Sequence, residues 1–189
     1  KKKIGEEEYY KITGVELTPT WSLPKIMWIS DNEPAVMGKT YKFLQSKDFI
    51  VMKLTGKFVT DFSDACLAGA FNIKKREWAS DLLEELNVPV EKLPELHPST
   101  DVIGELDPKI AERVGLAKDT KVILGGGDGA CATAGAGAVR EGIFYNCLGT
   151  SSWICTPSKK PVIDPKMRLF NMWHLDPDLV CSLGTMQMA

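Results

Sequence analysis

Along the first three-quarters of the chain, short amphipathic segments alternate with turns that contain glycine or proline. This pattern predicts an α/β protein built from many short elements. Several predicted helices follow a capping residue, and the two that start at Ser80 and Asp107 repeat their apolar residues every three or four positions. The predicted helices begin at or near Glu6, Ser22, Ser46, Ser80 and Asp107, and three of them end at Gly14, Gly56 and Gly115. Three prolines between positions 88 and 98 predict an irregular connection there.

After Lys121 the sequence changes character, and one block combines short apolar strands with glycine-rich turns. In order, it contains a strand, the run Gly-Gly-Gly-Asp, a helix of small residues, a second strand, a tight turn and a third strand. These predicted elements occupy 121–124, 125–128, 129–139, 143–148, 149–152 and 153–155. Since ligands of open α/β sheets bind beyond the carboxyl ends of the strands, this block is the candidate site.

Composition and charge narrow the class of protein. The chain has 189 residues, of which 44% are hydrophobic and 25% charged, as in an ordinary globular protein. A net charge of −2 favours neither nucleic acid nor anionic membranes as partners, and no apolar run approaches the ~20 residues of a transmembrane helix. Five cysteines without a CxxC pair and two histidines without zinc-site spacing predict reduced thiols, no metal site and a cytoplasmic protein.

Two nucleotide-binding motifs are incomplete in this chain. The Gly-Lys-Thr run at 38–40 resembles the end of a Walker A loop, but Glu33 stands where that loop needs a glycine. The run at 125–130 matches the dinucleotide pattern GxGxxG/A, but the next strand ends without the acidic residue that holds the ribose. Asp128 would also stand inside the loop that must cradle a pyrophosphate, so both interpretations are rejected.

Phosphoryl transfer to a hydroxyl is the function that accounts for every feature of the block at 121–155. One carboxylate, Asp128, would orient the acceptor hydroxyl and take its proton, and the backbone N–H groups of the turn at 149–152 would bind phosphate. The structural alternatives are that Asp128 caps the following helix and that the turn is an ordinary hairpin connection. Asp61 is predicted to cap a helix in the segment 60–64.

The Gly-Gly-Gly-Asp-Gly-Ala run at 125–130, followed by Leu-Gly-Thr-Ser-Ser at 148–152, resembles the pair of signatures found in the FGGY family of carbohydrate kinases. Upstream segments resemble the same family in the same order, at 13–14, 24–28, 47–49, 54–61, 63–65 and 72–73. The resemblance implies part of the ribonuclease H-like, actin-like ATPase fold. It is strongest to xylulokinases, around Gly127 and Asp128.

The resemblance also implies roles for individual residues. Asp128 matches the catalytic base, which contacts the sugar as well. The residues that match the loop contacting the nucleotide phosphates are Gly149, Thr150 and Ser151. The residues that match positions near the sugar are Thr18, Thr20, Trp21 and Trp153, although core packing is an open alternative for both tryptophans. No residue of the chain is implied as a metal ligand.

The implied activity is transfer of the γ-phosphoryl group of ATP, with Mg²⁺, to a ketopentose such as D-xylulose. Ribulose, gluconate, fucose and glycerol kinases share the scaffold and stay as alternatives. The family's Asp-x-Gly-Thr phosphate hairpin does not occur in the sequence. Residues 1–140 are therefore expected to be the later part of the N-terminal domain, and 141–189 the start of the C-terminal domain. Such a piece is expected to be inactive alone, as a structural or sugar-binding module, and its exposed sheet edge suggests a homodimer.

Overall fold

The computed structural model describes residues 4–149 and 151–187, without the side chains of positions 151, 186 and 187. The described residues form eight α-helices: α1 Glu6–Thr13, α2 Ser22–Asn32, α3 Pro34–Lys39, α4 Ser46–Thr55, α5 Phe62–Leu67, α6 Ser80–Glu85, α7 Pro108–Val114 and α8 Asp128–Gly135. They also form ten strands: β1 Val59–Asp61, β2 Phe71–Asn72, β3 Glu77–Trp78, β4 Glu95–His97, β5 Val102–Glu105, β6 Lys121–Ile123, β7 Tyr145–Leu148, β8 Ser151–Ser158, β9 Leu169–Trp173 and β10 Val180–Gln187.

Several helix ends follow directly from local sequence chemistry. Helices α1, α4 and α7 stop at Gly14, Gly56 and Gly115, whose φ angles of 72°, 75° and 71° lie in the left-handed region that glycine tolerates. The Asp107 side chain caps α7 by accepting the backbone N–H groups of Lys109 and Ile110. These predicted boundaries are confirmed.

Three local predictions were wrong. Ser22 and Ser46 are the first helical residues of α2 and α4 rather than their caps, and Gln45 forms a capping box with Asp48 instead. The segment 88–98 contains a 3-10 helix, Val90–Lys92, and strand β4, which pairs in parallel with β1. The prolines of this segment flank the short strand and do not interrupt it. Helix α8 ends at Gly135, four residues before the predicted end at 139, and Gly137 follows with φ of 82°.

The C-terminal strands form an antiparallel sheet in the order β7-β8-β10-β9. Strands β1 and β4 pair in parallel, whereas β5 and β6 form an antiparallel pair with a bulge. Strand β6 leads through three glycines into α8, so the predicted strand–turn–helix block is confirmed. Among the described residues, no helix has both the length and the apolar character of a membrane span.

One of the hydrophobic cores joins the early helices to the C-terminal sheet. Its buried residues are Ala65, Cys66, Phe71, Ile73, Ala130, Cys155, Met172, Trp173, Val180, Cys181 and Leu183. Polar contacts reinforce this joint: the Tyr10 hydroxyl donates to the carbonyl of Leu169 at 2.7 Å, and the buried Asn171 side chain donates to the carbonyl of Gly14 at 3.1 Å. Segments on both sides of position 140 therefore share one core. The expected domain division near that position stays a prediction.

Candidate active site

The carboxylate of Asp128 stands at the surface, at the start of α8. Gly127 is the N-cap residue, with φ −60° and ψ 155°, and Asp128 is the first helical residue. Its Oδ1 accepts the N–H of Gly129 at 2.7 Å, and the residue is exposed to solvent. Gly127 rather than Asp128 therefore occupies the N-cap position, and the Asp128 side chain binds a backbone N–H of the first turn from the position after the cap. The carboxylate is also exposed, so a ligand can reach it.

Asp128 lines a cleft of about 390 Å³ between α8 and the C-terminal sheet. The cleft is lined by Leu67, Asp128, Gly129, Ala132, Tyr145, Cys147, Trp153, Phe170, Met172, Leu183 and Thr185. Asp128 is the one carboxylate among these residues, and the set contains no lysine, arginine or histidine. Apolar and aromatic walls with few polar groups are typical of sites for small organic ligands.

Two aromatic residues form the wall of the cleft on the sheet side. The rings of Tyr145 and Trp153 pack edge to face, with centroids 4.9 Å apart and an interplanar angle of 90°. Trp153 pairs across the β7–β8 hairpin with Cys147, which lines the same cleft. The structure therefore brings two of the predicted site residues, Asp128 and Trp153, to one cavity.

The other predicted sugar contacts lie farther from Asp128. Trp21 donates its indole N–H to the carbonyl of Glu16 at 2.8 Å, and its ring packs on Phe170 with centroids 6.5 Å apart. Trp21 thus lies behind a residue of the cleft wall. Thr20 is exposed, and its hydroxyl lies 3.1 Å from that of Thr18, which lines a separate cavity under α2.

The predicted phosphate turn stands at the end of the cleft. The pair Leu148 and Ser152 closes the β7–β8 hairpin, one residue beyond the cleft-lining pair of Cys147 and Trp153. Gly149 is exposed at the tip. Thr150 and the side chain of Ser151 lie outside the described residues. Among the described residues no group of three His, Cys, Asp or Glu side chains is arranged to hold a metal ion.

A group of buried polar side chains around Asp61, the Asp61 cluster, contacts the glycine run. Asp61 Oδ2 accepts three hydrogen bonds, from Ser63 N at 2.9 Å, Ser63 Oγ at 2.5 Å and Ser99 Oγ at 2.7 Å. The Ser63 hydroxyl in turn accepts the N–H of Gly127 at 2.8 Å. The predicted cap at Asp61 is confirmed. The hydrogen bond between Ser63 and Gly127 was not predicted, because no local sequence signal connects residues that are 64 positions apart in the chain.

Lys47 supplies the positive charge of this cluster. Its Nζ lies 2.8 Å from Asp48 Oδ1, 3.1 Å from Asp61 Oδ1 and 3.5 Å from Asp64 Oδ2. Burial alone would lower the pKa of Lys47, but the charges of Asp61, Asp48 and Asp64 outweigh it and raise that pKa. Burial and, second, the charge of Asp61 raise the pKa of Asp64 to about 6. Three carboxylates thus share one ammonium group.

Two glycines of the run, Gly126 and Gly127, stand too close to neighbouring side chains for a Cβ to fit without a shift. A Cβ on Gly126 would lie 2.3 Å from Leu175 Cδ2, and one on Gly127 would lie 2.8 Å from Asp64 Oδ1. Gly125, with φ of 72°, donates its N–H to the carbonyl of Ser99 at 2.9 Å. The backbone leading to Asp128 is therefore in close contact with the Asp61 cluster.

Comparison with known proteins decides the family. The family model for the N-terminal domain of FGGY carbohydrate kinases matches residues 1–135. The chain belongs to the FGGY family of carbohydrate kinases. It is 35% identical to a xylulose kinase of Lactococcus lactis over 87% of the chain, and 31% identical to a gluconokinase of Bacillus subtilis over 90% of it.

The fold expected from the resemblance is confirmed. A ligand-bound xylulose kinase from Lactobacillus acidophilus matches 95% of the chain with a TM-score of 0.88 and 30% identity. The chain therefore has part of the ribonuclease H-like, actin-like ATPase fold. It covers 36% of that solved chain, and 32% and 33% of the two curated relatives. FGGY kinases thus extend well beyond the segment that this chain represents.

Proposed function

We propose that the protein containing this chain transfers a phosphoryl group from ATP to a sugar hydroxyl, with Asp128 as the general base. The observation that carries the proposal is the placement of an exposed carboxylate in a cleft whose other walls are apolar and aromatic. A sugar hydroxyl held against Asp128 would donate a hydrogen bond to it and pass it a proton as the phosphoryl group arrives. Membership of a carbohydrate kinase family gives this geometry its chemical context.

ATP, with Mg²⁺ bound to its phosphates, is the proposed phosphoryl donor. The turn that contains Gly149, Thr150 and Ser151 is the proposed phosphate contact in this chain, because it lies next to the cleft pair of Cys147 and Trp153. Mg²⁺ would neutralise the charge of the phosphates. In this proposal the chain holds the acceptor sugar, accepts its proton and contacts the phosphates on one side.

We propose a neutral sugar as the acceptor, namely a ketopentose and D-xylulose above all. Gluconate carries a carboxylate, which would repel Asp128 unless a cation stood nearby. The described residues that line the cleft include no lysine, arginine or histidine to supply that cation. Xylulose kinases are also well represented among the relatives of the chain. Gluconate is the second candidate, because gluconokinases are nearly as similar.

A substrate panel on the complete protein tests the proposal. Purified enzyme with MgATP is assayed by ADP release against D-xylulose, D-ribulose, L-fucose, glycerol and gluconate. We expect the highest kcat/KM with a ketopentose. A preference for gluconate would contradict the choice of a neutral acceptor. No sugar-dependent ADP release with any acceptor would contradict the kinase assignment itself.

The chain of 189 residues alone is proposed to be a non-catalytic module. Stabilising the charge of the transferring phosphoryl group is most of what such an enzyme supplies, and the described residues include no metal site for that task. Sugar-dependent turnover of the isolated chain at the rate of the complete protein would contradict this.

A further inference from the structure

The cluster beneath the glycine run has more connections than a helix cap needs. Capping α5 requires one hydrogen bond, from Ser63 N to Asp61 Oδ2. The same carboxylate oxygen also accepts two hydroxyls, and its side chain is fully buried beside Lys47. Burying an ion pair adds little to stability, and a known use of such pairs is to hold one specific arrangement.

The hydrogen bonds of this cluster have a defined direction. The Ser63 hydroxyl donates its hydrogen to Asp61 Oδ2 at 2.5 Å. The oxygen of Ser63 is then free to accept the N–H of Gly127, at 2.8 Å. Lys47 Nζ lies 3.1 Å from Oδ1, the other oxygen of the same carboxylate, and so holds Asp61 from its opposite side.

The chain of contacts ends at the proposed base. Gly127 is the N-cap residue of α8 and Asp128 follows it directly. Gly127 has no side chain with which to cap α8. The hydroxyl oxygen of Ser63, which lies on α5, instead accepts the backbone N–H of Gly127. Gly127 also contacts Asp64 too closely for a side chain. Any shift of this peptide would change the direction in which the Asp128 carboxylate enters the cleft.

We propose that Ser63, oriented by Asp61 and Lys47, is a positioning residue that sets the direction of the Asp128 carboxylate through the N–H of Gly127. The inference rests on the proposed function of Asp128. Ser63 is buried and is not among the residues that line the cleft, so it acts through the loop. Displacement of a catalytic group by about 1 Å is enough to slow a reaction by roughly 10²-fold.

Ser63→Ala and Ser99→Ala in the complete protein test the proposal as a matched pair. Both variants delete one hydroxyl that donates to the same oxygen of Asp61, but only Ser63 also binds Gly127. We expect kcat to fall roughly 10- to 100-fold in Ser63→Ala, with KM for ATP within about twofold of the wild type. The loss in Ser99→Ala should stay below about threefold.

Three further measurements separate a positioning role of Ser63 from a loss of folding and from a failure of the proposed function. Should Ser63→Ala fail to fold, Ser63→Cys preserves most of the volume with a weak acceptor, and the same loss of kcat is expected. The amide of Gly127 should exchange its hydrogen faster in the Ser63 variant than in the Ser99 variant. Asp128→Asn separates this inference from the function it rests on.

The proposal is overturned if the folded Ser63 variants keep kcat within threefold of the wild type while Asp128→Asn is inactive. An equal loss in the Ser63 and Ser99 variants would also overturn it, because the effect would then belong to Asp61 and not to the bond with Gly127. Full activity of Asp128→Asn would instead remove the proposed base, whatever the Ser63 variants do.

Discussion

Replacing Gly127 with alanine should destabilise the protein through steric conflict alone. The backbone angles at this residue, φ −60° and ψ 155°, suit alanine as well as glycine, so no conformational strain is added. The new Cβ would lie 2.8 Å from Asp64 Oδ1 and 3.5 Å from Ser63 Oγ. The first distance is shorter than real Cβ contacts, so either the carboxylate or the glycine run must move.

The cost follows from what holds Asp64 in place. Rotation of its carboxylate would lengthen the 3.5 Å contact with Lys47, and retreat of the loop would lengthen the 2.8 Å bond between Gly127 and Ser63. Overpacking of this kind costs about 1–3 kcal/mol. For a chain of this size, a loss of about 2 kcal/mol lowers Tm by roughly 4–8 °C.

Gly135→Ala is the matched control for this substitution. Gly135 is the last residue of the same helix, and a Cβ there meets nothing within 4 Å. Since alanine restricts the unfolded chain and favours the helix, the control should gain up to about 1 kcal/mol. Thermal denaturation followed by circular dichroism gives both values. A Gly127→Ala protein that melts within 1 °C of the wild type would refute the close contact between the glycine run and the Asp61 cluster.

Two further predictions concern ionisation and thiol exposure. Burial and the charge of Asp61 raise the pKa of Asp64 from its ordinary 3.8 to about 6. The folded state therefore keeps a proton that the unfolded state releases, and Asp64 should reduce stability progressively from pH 4 to 6, by at most about 3 kcal/mol. Urea titrations should show this loss in the wild type but not in Asp64→Asn, and equal pH slopes would contradict it. Alkylation with mass-spectrometric detection should modify the exposed Cys131 well before Cys66, whose burial raises its thiol pKa; equal rates would show that Cys66 is accessible.

Local signals predicted the elements that depend on neighbouring residues. The helix that starts at Ser80, the Asp107 cap and the glycine stops all follow from residues within one turn of each other. The block from β6 to β8 was predicted for the same reason, since the glycine run and the small residues of α8 stand next to one another in the sequence.

Elements that depend on distant partners were not predictable in this way. Strand β4 is three residues long between prolines, and its pairing with β1 across more than 30 residues defines it. The Ser63–Gly127 bond is likewise a product of the tertiary fold. The location of Asp128 and Trp153 in one cleft was predicted from the family resemblance and not from sequence periodicity.

The most direct test of the central proposal is the turnover of Asp128→Asn in the complete protein. Asparagine keeps the shape of the side chain but cannot accept a proton, so kcat should fall roughly 10²- to 10⁴-fold. KM for ATP should stay close to the wild-type value, because the proposed phosphate contacts lie in the turn at 149–151.

Asp81→Asn is the matched control, since Asp81 is also an exposed aspartate in the first turn of a helix but lies on α6. Its kcat should equal that of the wild type. A folded Asp128→Asn protein that phosphorylates its sugar at the wild-type rate would contradict the assignment of Asp128 as the base.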